Sequence, residues 1–215
     1  MSTPELLVLA GTNGAGKSSI AGAILENLGA GYYNPDTVTR RYIEEGLPPE
    51  EANSRAWRRG VNQLDRAIRD RLNYAFETTL GGHTITQRLI EAAKLGVRVR
   101  IWYVGLATPE LHIARVKARV ARGGHDIPEL RVRERYNASR ENLVRLLPHL
   151  YELTMFDNSQ DVRMNAGDPP EPLHVLHLRG GRLQHLAAPT VIPAWCKPIV
   201  AAAVRLSGRP NDADD

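Results

Sequence analysis

The sequence contains a single cysteine, no long apolar run and little lysine. Cys196 is the one cysteine among 215 residues, which excludes an internal disulfide and favours a reducing compartment. No apolar run reaches the roughly eighteen residues that a membrane-spanning helix needs, so a helical membrane protein is excluded. The first residues also lack the basic segment with which a secretion signal begins. We therefore expect a cytoplasmic protein that has no membrane partner.

Lysine occurs at only four positions, so the formal net charge of +4 depends mainly on arginine. The arginines are spread along helix-like stretches and do not gather in one basic tract. A basic cleft attracts phosphorylated small molecules as well as nucleic acids. We therefore expect a small-molecule substrate, and the pattern disfavours nucleic-acid binding.

Residues 11–18, GTNGAGKS, match the phosphate-binding loop G-x-x-x-x-G-K-[ST] at every fixed position. A strand-like apolar run at 6–10 precedes the loop, and a helix-like run at 18–25 follows it. Glycines let backbone N–H groups turn towards a phosphate, and a helix N-terminus adds a favourable dipole. The pattern predicts a site for ATP or GTP, with Lys17 on the terminal phosphates and the Ser18 hydroxyl on Mg²⁺. The expected nucleotide-binding residues are Gly11, Thr12, Asn13, Gly14, Ala15, Gly16, Lys17, Ser18 and Ser19.

Strand-like and helix-like segments alternate along the chain, which is typical of a parallel sheet flanked by helices. We expect an α/β fold of the P-loop kinase type, a three-layer sandwich around a five-stranded parallel sheet. The predicted strands are 6–10, 31–34, 74–79, 97–106 and 153–159, and the main helices are 48–71, 84–95, 109–122 and 128–147.

A single domain is predicted over residues 1–206. Within it, two basic helices at about 108–147, separated by Gly123-Gly124, would form a lid. From 172 to 206 the pattern changes to two strand-like runs joined by Gly180-Gly181 and a last helix, which predicts a C-terminal hairpin and helix. Residues 207–215 are expected to form a disordered tail.

Two carboxylates stand where strands of the predicted sheet end. Asp36 follows the second strand, Glu77 lies in the third, and the C-terminal ends of parallel strands face the ligand crevice. Phosphoryl transfer needs a group that accepts the proton of the acceptor hydroxyl, and either carboxylate could serve. Asp36 is equally suited to cap the helix that follows it. Glu77 favours a ligand role, because an acid in a buried strand is costly unless it is paired or functional.

The lid helices carry the cations that phosphoryl transfer requires. Helical spacing places Arg115, Arg119 and Arg122 on one face, and Arg131 and Arg135 share a face of the second helix. A run of charges commonly forms a solvated face, but this one lies beside a phosphate loop. We therefore expect one or two of these arginines to contact phosphate.

Taken together, these motifs resemble the zeta toxin group of phosphate-loop kinases. The resemblance covers about residues 5–159 and rests on 10–18, Asn34-Pro35-Asp36, 76–79, 123–128 and Arg135-Tyr136. It implies a kinase-type sheet and transfer of a phosphoryl group from ATP or GTP to a hydroxyl. The best-known acceptor of the family is UDP-N-acetylglucosamine. Family toxins are held by a small antitoxin protein that blocks the nucleotide site.

The resemblance also implies a role for individual residues. Asp36 matches the family's base and Lys17 its nucleotide lysine, while Glu77 and Thr79 match its substrate-holding acid and threonine. Arg135 is expected to join them at the substrate.

For the lid, the first of the family's two arginines matches Arg119. The place of the second is occupied by His125, so Arg122 or an arginine of the next helix would substitute for it. Two other functions stay open: a kinase for another hydroxyl, such as a sugar, a nucleoside or a polynucleotide end, and a non-catalytic nucleotide-dependent switch.

Overall fold

The computed structural model describes residues 3–17, 32–124, 126–160 and 171–208. Within these ranges, seven strands form one sheet. They are β1 Glu5–Ala10, β2 Tyr32–Tyr33, β3 Tyr74–Thr78, β4 Arg98–Gly105, β5 Glu152–Asp157, β6 Leu173–Arg179 and β7 Arg182–Leu186. The α-helices of the described ranges are α1 Pro35–Glu44, α2 Pro49–Arg69, α3 His83–Lys94, α4 Pro109–Val120, α5 Glu129–Leu146 and α6 Lys197–Ser207. Short 3₁₀ helices cover Leu147–His149 and Ala194–Cys196.

The strand order is β2-β3-β1-β4-β5-β6-β7, and the first five strands run parallel. Ala10 at the end of β1 is in register with Thr78 of β3 and Tyr103 of β4. The carboxyl ends of these three strands are therefore nearly level, and the segments that follow them meet at the carboxyl end of the sheet. The α/β class and the parallel direction of the five predicted strands are confirmed. The carboxyl end of the sheet is where such folds bind ligands.

The predicted strand number of five was too low, because the C-terminal hairpin continues the same sheet. β6 pairs antiparallel with β5, and β7 pairs antiparallel with β6, so the sheet is mixed. Leu153 and Met155 of β5 stand opposite Leu178 and Leu176 of β6. These side chains are fully buried, so the hairpin covers an edge of β5 that water would otherwise reach.

The main core lies on one face of the sheet, against α2, α3, α5 and α6. Alternate residues of the strands point into it, as a period of two requires. Its members from the strands include Leu6, Val8, Phe76, Val99, Ile101, Tyr103, Leu153 and Met155, and those from the helices include Leu64, Leu89, Leu143, Leu146, Ile199 and Ala203.

Two glycines form the turn between β6 and β7. Gly180 has φ 56° and Gly181 has φ 72°, the left-handed conformations that a tight hairpin turn demands. The last helix begins at Lys197, directly after the 3₁₀ turn over Ala194–Cys196. Ser207, predicted to start the tail, instead ends α6 and accepts a hydrogen bond from Leu183 N at 3.1 Å. The rest of the predicted tail, 209–215, lies outside the described residues, and so does the helix predicted after the phosphate loop.

Within the described ranges, no helix combines the length and the apolar character that crossing a bilayer requires.

Candidate active site

The phosphate loop follows β1 and depends on glycines for its path. Gly11, Gly14 and Gly16 have φ values of 139°, 80° and 87°, which side chains other than glycine rarely adopt. A Cβ on Gly11 would lie 2.0 Å from the carbonyl oxygen of Val104, so the loop rests directly on β4. The predicted loop residues from Gly11 to Lys17 are therefore in the expected place, whereas Ser18 and Ser19 lie outside the described residues.

Two side chains from distant parts of the chain form hydrogen bonds to the backbone of the loop. His112 of α4 donates from Nδ1 to the carbonyl oxygen of Asn13 at 2.8 Å, and Asn158 donates from Nδ2 to that of Ala15 at 2.9 Å. Burial lowers the pKa of His112 to about 4, so the ring is neutral at pH 7 and carries its proton on Nδ1. Sequence reasoning missed both residues. The position of Asn158 directly after β5, at the ligand edge, was an available signal.

Lys17 forms a buried ion pair with Glu77. Its Nζ lies 3.3 Å from Glu77 Oε1 and also donates to the carbonyl oxygen of Gly11 at 2.7 Å. The other carboxylate oxygen of Glu77 accepts hydrogen bonds from Tyr32 and Asn34, at 2.9 and 3.0 Å. The predicted lysine and acid are thus brought together, and the buried charge of each has a partner, as burial requires.

Asp36 stands at the start of α1, but it is not the residue that caps this helix. Asn34 is the cap: its Oδ1 accepts from the backbone N–H groups of Asp36 and Thr37, at 2.9 and 3.3 Å. The carboxylate of Asp36 instead lies 3.4 Å from Nη1 of Arg119, which reaches across from the lid. Of the two roles left open for Asp36, the cap is therefore wrong, and its carboxylate is directed at the site.

The predicted lid arginines occupy different environments. Arg119 is the one that contacts Asp36, and its stem packs against Gly124, where a Cβ would lie 2.6 Å from Arg119 Cγ. Arg122 is exposed and donates from Nε to the carbonyl oxygen of Ala118 in its own segment. His125, which occupies the second arginine's place, lies outside the described residues.

Arg135 connects α5 to the phosphate loop. Its Nη1 donates to Asn13 Oδ1 at 2.8 Å, and burial lowers its pKa. The side chain lies over Gly81, where a Cβ would meet Arg135 Cγ at 2.7 Å. Among the predicted site residues of the second lid helix, Arg135 is therefore the one in contact with the nucleotide loop.

A cavity of about 770 Å³ joins several of the predicted site residues. Lys17, Asp36, Glu77, Thr79 and Arg135, all of them predicted site residues, line it together with side chains of α2 and α3. Its apolar wall is formed by Tyr33, Trp57, Val61, Phe76, Ile85 and Ile127, and its further charged groups are Glu50, Asp126, Arg131 and Glu134. This volume is in the range of pockets that bind small molecules.

The loop and the cavity fit a nucleotide that donates a phosphoryl group. The glycine backbone leaves room for phosphate oxygens, and Lys17 supplies a cation at the floor of the loop. Within the described ranges no cluster of three or more His, Cys, Asp or Glu side chains could hold a metal by itself. A metal bound with the nucleotide would depend on the phosphates and on Ser18.

Comparisons with known proteins agree with this architecture. A family model described as an AAA domain (AAA_33) matches residues 6–143. An uncharacterized protein of Haemophilus influenzae is 33% identical over 133 residues, which are 59% of this chain and 88% of the relative.

Two solved structures have a similar fold. A chain of the AvrRxo1-ORF1:-ORF2 complex with ATP matches with a TM-score of 0.64 at 18% identity, over 94% of this chain and 64% of its own. A chain from the PezAT chromosomal toxin–antitoxin system of Streptococcus pneumoniae matches with a TM-score of 0.53 at 16% identity, over 73% and 69%. The present chain thus spans less than two thirds of the AvrRxo1 chain, and the shared feature is the P-loop kinase-like fold.

Proposed function

Because the chain belongs to the AAA domain family AAA_33, we propose that it is a kinase that transfers the γ-phosphoryl group of ATP or GTP to a hydroxyl of a small molecule. The observation that carries this proposal is that the phosphate loop and a carboxylate line the same cavity. It is lined both by Lys17 of the phosphate loop and by the carboxylate of Asp36, which does not cap its own helix. A nucleotide-dependent switch has no need of a proton acceptor at this place.

Each residue has a distinct role in the proposed reaction. The acceptor oxygen attacks the γ-phosphorus, the bond from this phosphorus to the β-phosphate oxygen breaks, and the hydroxyl proton passes to Asp36. Lys17 and Arg119 neutralise charge on the phosphoryl oxygens. Mg²⁺ would be held by Ser18 and would supply further positive charge at the phosphates.

The acceptor would bind in the part of the cavity that Glu77 and Thr79 line. Glu77 and Thr79 are the expected hydrogen-bonding partners of its hydroxyls. For the second lid arginine, Arg135 is better placed than Arg122, since it lines the cavity and contacts Asn13. When nucleotide binds, phosphate oxygens compete with Asp36 for Arg119, which frees the carboxylate to accept a proton.

We take UDP-N-acetylglucosamine as the first acceptor to test. The resemblance of the sequence motifs to the zeta toxin group supports it. The half-exposed ring of Trp57 in the cavity wall also suits an acceptor with a sugar or base. We propose a cytoplasmic reaction, in keeping with the unpaired thiol of Cys196, and a small antitoxin as partner.

An acceptor without phosphates is the second candidate, and the charges of the cavity favour it. Asp36, Glu50, Glu77, Asp126 and Glu134 line the cavity, against three basic residues, Lys17, Arg131 and Arg135. Of these cations, Arg131 is already paired with Glu134 at 3.3 Å. A free sugar or a nucleoside carries no charge, so the surplus of negative charge in the cavity would not repel it.

Mass spectrometry of purified protein with Mg-ATP and UDP-N-acetylglucosamine tests the proposal. We expect the acceptor to gain one phosphoryl group, and Asp36→Asn to lower the rate by about 10²–10⁴ while nucleotide affinity is unchanged. Asp65→Asn is the matched control, because Asp65 pairs with Arg88 at 2.7 Å outside the cavity.

If Asp36→Asn is as fast as the unmodified protein, Asp36 is not the base. If UDP-N-acetylglucosamine gains no mass, sugars and nucleosides are assayed next. Turnover with none of them, although ATP binds, would contradict the kinase.

A further inference from the structure

The side chain of Asn34 serves two elements of the site at once. Its oxygen caps α1 by accepting from the N–H groups of Asp36 and Thr37. Its amide nitrogen donates to Glu77 Oε2 and to the hydroxyl of Tyr32, both at 3.0 Å. One planar amide therefore fixes the start of the helix that carries Asp36 and, on its other side, the carboxylate of Glu77.

Glu77 needs these donors because it is buried. It is only 9% exposed, and a buried carboxylate is costly unless each oxygen has a partner. Oε1 faces Lys17, while Oε2 receives the amide of Asn34 and the hydroxyl of Tyr32. Burial and the neighbouring carboxylate raise the pKa of Tyr32, so its hydroxyl keeps its proton and remains a donor.

Capping alone does not explain an asparagine at this position. Serine or aspartate would cap α1 about as well. Aspartate, however, would place a carboxylate oxygen beside Glu77 Oε2, and the two like charges would repel each other. Serine is too short to cap the helix and also donate a hydrogen bond to Glu77 Oε2. The bond to Glu77 is therefore the feature that distinguishes asparagine from other capping residues here.

We propose that Asn34 is a positioning residue that couples the base on α1 to the acid that holds the acceptor, with Tyr32 as the second donor to that acid. The inference rests on the proposed kinase function. Through Glu77 and Lys17 the coupled set extends from the acceptor side of the cavity to the phosphate loop.

Three variants separate coupling from capping. Asn34→Ser keeps a cap but removes the donor to Glu77, Tyr32→Phe removes the other donor without touching the cap, and Asn34→Ala removes both functions of Asn34. The measurements are the melting temperature and kcat and KM for acceptor and ATP.

We expect Asn34→Ser and Tyr32→Phe each to raise the acceptor KM by roughly tenfold, since a hydrogen bond to a charged group is at stake. Their kcat should fall by about threefold or less. Asn34→Ala should lower the melting temperature more than Asn34→Ser and also lower kcat, because Asp36 loses its helix cap. A role confined to the cap predicts the reverse: normal acceptor KM in Asn34→Ser and Tyr32→Phe.

Crystal structures of the unmodified protein and of Asn34→Ser give a readout that does not depend on activity. The proposal requires Glu77 to leave its place beside Lys17 in the variant, while α1 still begins at Pro35. If Glu77 stays where it is, the proposal is overturned whatever the kinetics. If the unmodified protein phosphorylates no acceptor, the kinase function fails, yet the two structures still decide whether Asn34 holds Glu77.

Discussion

The two edges of the sheet differ in what they do with their side chains. At the first edge, β2 is only two residues long, and it carries Tyr32 and leads to Asn34 beside a wide cavity. At the second edge, β6 and β7 form a hairpin whose register shifts between His177 and Leu178 and whose inner side is packed by α6. All described residues that line the cavity lie between Asn13 and Arg135, so the hairpin edge contributes none of them.

Two tryptophans make a related contrast. Trp57 of α2 is 49% exposed although its neighbours Ala56 and Gly60 pack tightly on Tyr33. Trp195 is 5% exposed, covers Gly105, and donates from Nε1 to Asp157 Oδ1 at 2.7 Å. One aromatic ring thus closes the core over the carboxyl ends of β4 and β5, whereas the ring beside β2 is left facing the space where a ligand would bind.

The largest expected effect is on kcat, for an arginine of the predicted lid beside the cavity. Arg119→Gln should lower kcat on the order of 10³, because a cation is lost from the phosphoryl group. Arg122→Gln should cost far less, since Arg122 bonds to its own segment. Steady-state kinetics measure both, and Arg133→Gln is the control, because Arg133 pairs with Glu110 on the outer side. Equal losses in all three variants would remove Arg119 from the site.

The next effect concerns stability, at the carboxyl ends of β4 and β5, which Trp195 covers. Trp195→Ala should lower the free energy of unfolding by about 3–5 kcal/mol, since it opens a hole above Gly105 and leaves Asp157 Oδ1 with Ser159 as its remaining side-chain donor. Acceptor KM should stay unchanged in the folded fraction. Urea denaturation with parallel kinetics measures the two quantities. A raised acceptor KM at a temperature where the variant is folded would show that Trp195 shapes the site after all.

The smallest effect is expected for the other tryptophan. Trp57→Ala should raise the acceptor KM by about tenfold through loss of a stacking surface. It should change the free energy of unfolding by about 0.5 kcal/mol or less. Trp57→Phe keeps an aromatic ring and should recover most of the affinity. Kinetics and thermal melts of the two variants test this. If Trp57→Ala instead unfolds the protein and Trp195→Ala changes only KM, the contrast between the two tryptophans is reversed.

The sequence predicted what depends on local pattern and missed what depends on distant contacts. The loop motif, the strand runs and the carboxylates at strand ends are readable from short segments, and Lys17, Asp36 and Glu77 do line one cavity. The pairing of Asn158 with Ala15 joins residues 143 apart, and no local pattern encodes it. His112 was missed for the same reason.

Asn34 was passed over because Asp36, two residues later, also suits a helix cap, and sequence alone does not assign the cap between them. The hairpin was predicted, but its attachment to β5 depends on an edge that becomes visible only when the strand order is known.

The turn at Gly180-Gly181 has a practical consequence. A Cβ built on either glycine meets nothing within 4 Å, and the turn belongs to the edge that contributes no described residue to the cavity. Exposed hairpin tips of this kind tolerate inserted sequence better than packed segments do. A short peptide tag or a labelling sequence placed there would let the protein be immobilised or followed by fluorescence, with the substrate entrance facing solution.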